Sequence, residues 1–298
     1  FHFNPGDWSL MYTRLSACLG LAMLSPHVCA QDNSPSATDL DVITVYGRAL
    51  GRIPGETATK SGAPVVETPF TVNIVPRELL DLRSVSNIGQ AAETVSGVQR
   101  TIGFSGNQRF RIRGFQAIST LRDGFRQGLS QPEIDLQGVD SIEVLKGPAS
   151  ALYGRFEPGG VINFVSKRPE ETFAAEAAIT AGSDDYGRIG ADVTGPLNDT
   201  GTLSGRLNVS HEDAGSYREG IDNRQTYVSP AIEWRPDDDT SLLARLEYLK
   251  RDAAFDRGFR NSPLFLDVPL SRNYGEDFMR IRKEQWSGRM GFNRSLSQ

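Results

Sequence analysis

The chain has 298 residues, enough for about two domains, and its hydrophobic content of 38% suits a folded protein. The formal net charge of −5 leaves no basic excess that would attract nucleic acid. Both cysteines and two of the three histidines precede residue 31, which argues against a disulfide, a zinc site or histidine-based catalysis in the rest of the chain, and we predict no enzyme.

Residues 1–30 have the order of a secretory signal peptide. From Met11 onwards, the single basic residue Arg14 precedes an apolar run over 15–24, and Val28-Cys29-Ala30 has the small residues of a cleavage site. We therefore predict that residues 1–30 comprise an upstream remnant and a signal peptide that is removed after Ala30, and that the protein is exported through the Sec pathway.

Residues 31–62 form a polar linker with one short β-prone stretch. Serine, proline, aspartate and asparagine are frequent in 32–39, so this part has little to bury and is predicted to be disordered. Residues 41–47 (DVITVYG) favour an extended strand, which needs a partner. The stretch is either an edge strand of the following domain or a peptide that pairs with the sheet edge of another protein.

Residues 63–169 have the pattern of a mixed α and β domain. Short helices are predicted at 77–82 and 87–94, the second because Ile88, Ala91 and Ala92 recur at helical spacing. The Asp123-Gly124 pair predicts a tight turn. Extended strands are predicted at 65–76, 141–145 and 161–166.

Residues 170–298 contain six segments in which apolar and polar side chains alternate. In the third, Leu207 and Val209 share one face while Arg206 and Asn208 share the other. No run of 18 apolar residues is present, so a membrane role would have to use strands, and transmembrane strands of about 9–11 residues alternate in this way. A soluble sheet with one wet face shows the same alternation. The segments are 172–181, 186–196, 202–211, 226–235, 240–251 and 284–296.

The connections between these segments favour the membrane interpretation. Connections 183–185, 212–225 and 252–283 lengthen along the chain, whereas 197–201 and 236–239 stay short. Long loops at one end and short turns at the other are typical of a barrel with one outer and one periplasmic end. The first, third and fifth strands would then run outward.

The segment 134–169, IDLQGVDSIEVLKGPASALYGRFEPGGVINFVSKRP, together with FRIRGF at 110–115, resembles the plug domain of TonB-dependent outer-membrane receptors, in particular the ferric-siderophore branch. The resemblance implies an α+β plug domain, residues 63–169, followed over 170–298 by the first six antiparallel strands of a transmembrane β-barrel. A complete barrel of this family is expected to have 22 strands, so the chain is predicted to be truncated.

The resemblance also implies functional residues. Arg113 and Lys146 correspond to the basic residues that contact the barrel, with partners outside this chain. Residues of the apical loops 102–107, 116–119 and 125–131 are implied to touch the ligand, with candidates Phe104, Gln116, Phe125, Arg126, Gln127 and Gln131. The β-prone stretch corresponds to the TonB box, formed by Asp41, Val42, Ile43, Thr44, Val45, Tyr46 and Gly47.

The function implied is a receptor in the outer membrane of a Gram-negative bacterium that binds a ferric siderophore at its outer face. TonB, with its inner-membrane ExbB/ExbD complex, would supply the energy for uptake, outer-membrane lipid would surround the strands, and iron would enter as substrate, with no cofactor. A receptor for cobalamin, a nickel chelate or a glycan, or a surface-signalling receptor, remains the alternative. A passive porin is disfavoured because a plug and a TonB box have no use in an open channel.

Overall fold

The computed structural model describes residues 71–102, 108–117, 119–127, 133–147, 150–153, 157–256 and 267–295. All of them belong to one compact unit. The predicted signal peptide, linker and TonB box lie outside the described residues. None of the helices in these parts of the chain is long and apolar enough to cross a membrane.

The described residues between 71 and 169 fold into a domain that we call the inner domain, built on two sheets. The larger sheet has the order β1-β7-β8-β5-β6, in which only β5 and β8 pair in parallel. Its strands are β1 (Thr71–Pro76), β5 (Thr120–Arg122), β6 (Phe125–Arg126), β7 (Val139–Lys146) and β8 (Gly160–Ser166). The smaller sheet contains β2 (Val98–Ile102), β3 (Gln108–Ile112) and β4 (Phe115–Ala117).

Three short helices complete the inner domain: α1 (Arg77–Leu82), α2 (Ile88–Glu93) and α3 (Ser150–Tyr153). The bounds predicted for α1 are confirmed, and α2 lies within the predicted segment. Asn87 caps α2 by accepting hydrogen bonds from the backbone N–H groups of Gly89 and Gln90, which satisfies donors that the first turn leaves free. Thr94 ends the helix, so the cap residues account for the two positions by which the prediction was too long.

The core lies between the two sheets and the helices. Strand β8 is buried along almost its whole length, which explains its continuous apolar run, since a central strand packs on both faces. The rings of Phe110 and Phe164 meet at its centre, with 6.4 Å between their centroids. Around them pack apolar side chains from both sheets and from α2, including Ala91, Ala92, Ile112, Ile142, Val144 and Ile162.

Two segments expected to be apical loops begin as paired strands. Gln116 lies in β4, and Phe125 and Arg126 form β6. Each strand follows a two-residue turn whose residues have positive φ, Arg113-Gly114 before β4 and Asp123-Gly124 before β6. Such turns match the twist of a hairpin, so pairing resumes directly after them.

The rest of the chain forms one antiparallel sheet, which we call the wall, with neighbouring strands in chain order. All six predicted strands are present, and the last four extend further into their connections because polar residues there continue the pairing. The strands are β9 (Ala174–Ala181), β10 (Gly187–Pro196), β11 (Leu203–Ala214), β12 (Asn223–Asp237), β13 (Thr240–Ala254) and β14 (Arg280–Arg294).

The two faces of the wall are inverted relative to a water-soluble sheet. Apolar side chains point outward, and Met290 is 84% exposed. Polar side chains of the other face are buried against the inner domain, and Glu233 is 1% exposed. Three residues depart from this division, because Pro230 is exposed on the apolar face, Leu249 is buried on the polar face and Leu243 is half-buried there.

The connections differ in part from the expectation. At one end, which we call the long-loop end, connections 182–186, 215–222 and 255–279 lengthen along the chain. At the other end lie 197–202 and 238–239. The first connection has five residues and the second has six. The expected bounds, 183–185 and 197–201, already made the first connection the shorter, so the difference between long and short connections begins only with the third.

Candidate functional site: the interface between the inner domain and the wall

The inner domain contacts the wall through charged and polar side chains at three levels. The contacts come from residues 133–138 nearest the long-loop end, from the hairpin turn at 122–123 in the middle, and from 167–171, where the chain passes into the wall. Each level joins residues that are far apart in sequence. The interface is therefore a product of domain docking and not of local chain folding.

At the first level, Asp135 is the centre of a buried cluster. Its carboxylate accepts hydrogen bonds from Arg188 at 2.5 Å, from Gln225 at 2.7 Å and from Ser210 at 3.1 Å, all three on wall strands. The backbone N–H of Gln137 donates a further bond at 2.8 Å. Burial alone would raise the pKa of Asp135, but the Arg188 guanidinium and these donors hold the pKa below its ordinary value.

The adjacent carboxylate at this level, Glu133, receives two more wall cations. Arg251 lies at 3.0 Å and Lys283 at 2.8 Å from its Oε1. Strands β10 to β14 thus all contribute to the level that is nearest the long-loop end.

At the second level, the Asp123-Gly124 turn and the strand before it bring the cation Arg122 and the anion Asp123 of the inner domain to the wall. Arg122 donates to Glu247 at 2.7 Å, and the Tyr227 hydroxyl donates to the same carboxylate at 3.0 Å. Asp123 accepts from the backbone N–H of Ser166 at 2.6 Å and also pairs with wall arginines Arg245 and Arg289. The turn therefore binds β8 and the wall at the same point.

At the third level, Lys167 pairs with Asp192 at 2.7 Å, and both side chains are about 95% buried. Arg206 also reaches Asp192 at 2.6 Å. Burial lowers the pKa of Lys167 even though Asp192 opposes the shift. Arg168 donates to the buried carboxylate of Glu233 at 3.0 Å.

A cavity of about 100 Å³ opens beside the first level, between the inner domain and strands β10 to β13. Gln108 and Glu133 line it, and each directly adjoins a segment outside the described residues, 103–107 and 128–132. The Gln108 Oε1 atom is buried and has no hydrogen-bond partner among the described residues. Wall side chains Arg188, Gln225 and Arg251 complete a polar lining that can hydrogen-bond oxygen-rich groups.

None of the predicted ligand residues that the structure describes lines this cavity. Phe104 and Gln131 lie outside the described residues. Gln116 is exposed on β4, and Phe125 is exposed with the Arg289 guanidinium 5.8 Å from its ring centroid. Arg126 donates to the Ser119 hydroxyl at 2.8 Å, and Gln127 lines a separate cavity of about 30 Å³ beside Arg122. Their role in binding stays a prediction.

The two predicted barrel-contact residues lie close together on the inner domain. Arg113 occupies a turn position with φ of 51°, and the Lys146 ammonium donates to the Ser96 hydroxyl at 3.4 Å. Partial burial, and then the Arg113 charge, lower the pKa of Lys146. Neither side chain pairs with a wall strand within the described ranges, and the expected partners outside the chain stay a prediction.

Sequence reasoning missed the residues that do make the interface. The arginines on the polar face of the wall were a usable signal, because a charge on a face that becomes buried requires a partner. Which carboxylate would meet which arginine was not encoded locally. In the part of the chain that the structure describes, no group of three or more His, Cys, Asp or Glu side chains is placed to hold a metal ion.

Comparison with known proteins agrees with the geometry. Residues 64–161 match the model of the TonB-dependent Receptor Plug Domain family. The metal-pseudopaline receptor CntO of Pseudomonas aeruginosa is 36% identical over 271 residues, which cover 87% of this chain and 38% of that protein. This chain belongs to the TonB-dependent receptors. Its inner domain is the plug, and the wall is a set of strands of the receptor barrel.

Further TonB-dependent receptors are similar over a shorter stretch or at lower identity. The ferrichrome outer membrane transporter/phage receptor of Escherichia coli is 31% identical over 195 residues, 62% of this chain and 26% of that protein. The structure of FpvA of P. aeruginosa bound to a heterologous pyoverdine has a TM-score of 0.74 at 24% identity and covers 84% of this chain and 35% of that one. This second likeness concerns the fold. The chain spans well under half the length of the curated relatives it matches.

Proposed function

We propose that the chain is part of an outer-membrane receptor that binds a metal chelate outside the cell and takes it up with energy from TonB. The observation that carries the proposal is the inverted wall, whose apolar face is outward and whose polar face is closed by the plug. An outward band of apolar side chains on every strand suits lipid, since soluble proteins rarely expose such large apolar surfaces.

The filled interior supports energised transport over passive diffusion. Buried ion pairs at three levels fix the plug against the wall, so a solute cannot pass beside it at these strands without breaking them. Energy has to reach the plug from elsewhere, because the outer membrane has no energy source of its own. We propose that TonB, driven by ExbB/ExbD, supplies it through residues 41–47 after Sec export of the receptor.

The test is deletion of residues 41–47 from the full-length receptor. We expect uptake of labelled chelate to be lost while binding at the cell surface persists, because the plug and the wall remain intact. Deletion of the seven residues 54–60 from the same linker is the matched control, and it should leave uptake unchanged. Uptake that survives the first deletion would contradict the proposal.

For the substrate, we propose a ferric siderophore as the first candidate. The plug sequence resembles receptors of that branch, and the ferrichrome transporter is among the relatives. A second candidate is a chelate of another transition metal, favoured because the metal-pseudopaline receptor matches more of the chain at higher identity than the ferrichrome transporter does.

Uptake with two labelled metals separates these candidates. Cells that carry the receptor would be given iron-55 and nickel-63, each with chelates of the hydroxamate, catecholate and amino-carboxylate classes. Receptor-dependent accumulation of iron alone supports the ferric siderophore, and accumulation of nickel supports the second candidate. Absence of both, with a glycan transported instead, would contradict a metal chelate.

A further inference from the structure

The plug turn Leu136–Gly138 and the wall are complementary in shape, because each has a glycine where the other places a side chain. Gly190 of β10 leaves room for a plug side chain, because a Cβ at this position would lie 2.6 Å from Oε1 of Gln137. Gly138 leaves room for a wall side chain, because a Cβ there would lie 2.8 Å from Cζ of Tyr227 and still closer to its hydroxyl. Contacts this short would force the neighbouring atoms to shift. The shift is harder at Gly138, where the atoms belong to the buried Tyr227 ring, than at Gly190, where they belong to the flexible end of Gln137.

Hydrogen bonds surround plug residues 135–138. Asp135 accepts from three wall side chains, and Asn208, with its amide oriented to satisfy both neighbours, donates to the Gln137 carbonyl at 3.0 Å. The Gly138 carbonyl accepts from Arg122 and from the Lys167 backbone N–H. Shape and charge thus coincide at the segment 135–138, which contacts β10, β11 and β12.

Lifting this segment away would separate buried opposite charges. Arg188 would lose Asp135, and a buried charge whose partner is removed destabilises a protein far more than the pair stabilises it. Tyr227 would lose its packing contact with Gly138, and a cavity would open beside its ring. The segment is therefore a costly place for the plug to part from the wall.

The N-terminal side of the plug differs in its described contacts. Among the residues that the structure describes from 71 to 117, no hydrogen bond or ion pair reaches the wall strands. Strand β1 is the edge of its sheet and pairs only with β7. The chain leads from β1 back towards residues 41–47, so β1 is the first of the described elements that a pull applied there would reach.

We infer that residues 135–138 are a fixed anchor, which stays seated on β10, β11 and β12 while the pulled part of the plug moves. The solute path then lies on the side of the plug away from these three strands. The inference rests on the proposed function, since it concerns what a transport cycle leaves in place.

A reversible crosslink tests the anchor in the full-length receptor. The pair Gln137→Cys and Gly190→Cys is chosen because a Cβ at 190 would lie 2.6 Å from Oε1 at the tip of the Gln137 side chain, and mass spectrometry checks that the disulfide forms on oxidation. Both native cysteines lie in the predicted signal peptide. We expect that oxidation leaves uptake unchanged. The matched pair Val72→Cys and Leu145→Cys bridges β1 to β7 in register, and its oxidation should abolish uptake, with reductant restoring it.

Loss of uptake on oxidation of the 137–190 pair, restored by reductant, would overturn the anchor. Retained uptake with the 72–145 pair oxidised would overturn the contrast between the two sides of the plug. If the reduced receptors and the wild type take up no chelate, the proposed function fails instead, and the next measurement decides the anchor.

That measurement needs no substrate. Hydrogen exchange of the purified receptor should show 135–138 among the slowest plug segments, and Gly138→Ala should accelerate exchange there by displacing Tyr227. Adding Tyr227→Ala to that variant should restore part of the protection, because it removes the clash. Rapid exchange of 135–138 in the wild type, or no effect of Gly138→Ala, overturns the anchor.

Discussion

Asp135 shows how one side chain can be both buried and charged in this receptor. It is almost fully buried, yet its neighbours supply one cation and three neutral donors that replace the lost water. A carboxylate with that many donors stays ionised, because each hydrogen bond favours the charged form. Arg188 is in turn shared with Glu212 at 3.2 Å, so the cluster extends to β11.

We predict that Asp135→Asn lowers the free energy of unfolding at neutral pH by about 3 kcal/mol, since it leaves Arg188 partly unpaired in a buried site. The pKa of Asp135 is lowered by folding, so its stabilising effect is complete above the ordinary value of about 3.9 and is lost as the pH falls through the folded value. Chemical unfolding of the wild type and the variant at pH 7 measures the difference in stability, and the same measurement at pH 3 shows how far that difference shrinks in acid.

The matched control for this change is Asp213→Asn, which removes an exposed pair with Arg224. Exposed pairs contribute under about 1 kcal/mol, so this variant should be nearly as stable as the wild type at both pH values. Equal stability of Asp135→Asn and the wild type at pH 7 would show that the buried cluster does not stabilise the docked plug.

At the scale of elements, the wall strands are fixed in register by their two faces. Because side chains alternate along a strand, a slip by one residue would move every arginine of the polar face outward and every outward aliphatic side chain under the plug. Paired arginines Arg188, Arg206 and Arg245 are the residues most affected. The register is therefore set by partners on both sides of the sheet.

We predict that Leu207→Arg on β11 lowers the stability of the receptor in lipid vesicles by about 2–4 kcal/mol, because a cation near the middle of a lipid-facing strand is poorly solvated. Leu207 is exposed on the outward face, between Val193 and Pro230. Urea unfolding of the full-length receptor in vesicles measures the effect.

Leu270→Arg provides the control, because Leu270 is an exposed leucine in connection 255–279, beyond the strand ends. Its substitution should change the stability by well under 1 kcal/mol, as is typical near or beyond the membrane surface. If both arginines have the same small effect, the outward face of the wall does not contact lipid.

At the scale of the whole molecule, the plug and the wall neutralise each other's charges. The wall presents a charged inner face that the plug neutralises, and the plug carries Asp123, Glu133 and Asp135 that would be excess negative charge without the wall. If one part were removed, water would have to solvate the charges of the other part in place of their ion-pair partners. Neither part is self-sufficient in its charges, although each keeps its own strand pairing.

We predict that deleting residues 63–169 from the full-length receptor makes cells permeable to large antibiotics that the outer membrane normally excludes, because water then fills the polar interior. Antibiotic sensitivity and conductance in a planar bilayer both measure the opening. The receptor that lacks only residues 41–47 is the control and should stay closed. A plug-deleted receptor that is inserted and still closed would contradict the assignment of the plug.

The sequence by itself determined the features that depend on neighbours along the chain. Helical spacing at 88–92 located α2, the Asp123-Gly124 pair located one turn, and two-residue alternation located six strands and their faces. These patterns arise from the geometry of the backbone, which repeats at short range. The family resemblance came from the same kind of local string, in 134–169.

Only the tertiary structure decided which charges meet. Asp135 and Arg188 are 53 positions apart, and Arg122 and Glu247 are 125 apart, so no local period relates them. The reciprocal glycine contacts of Gly138 and Gly190 are equally invisible in sequence, because each glycine lies against a side chain of the other domain. Such pairings follow from how two folded surfaces dock, and docking depends on the whole shape of both.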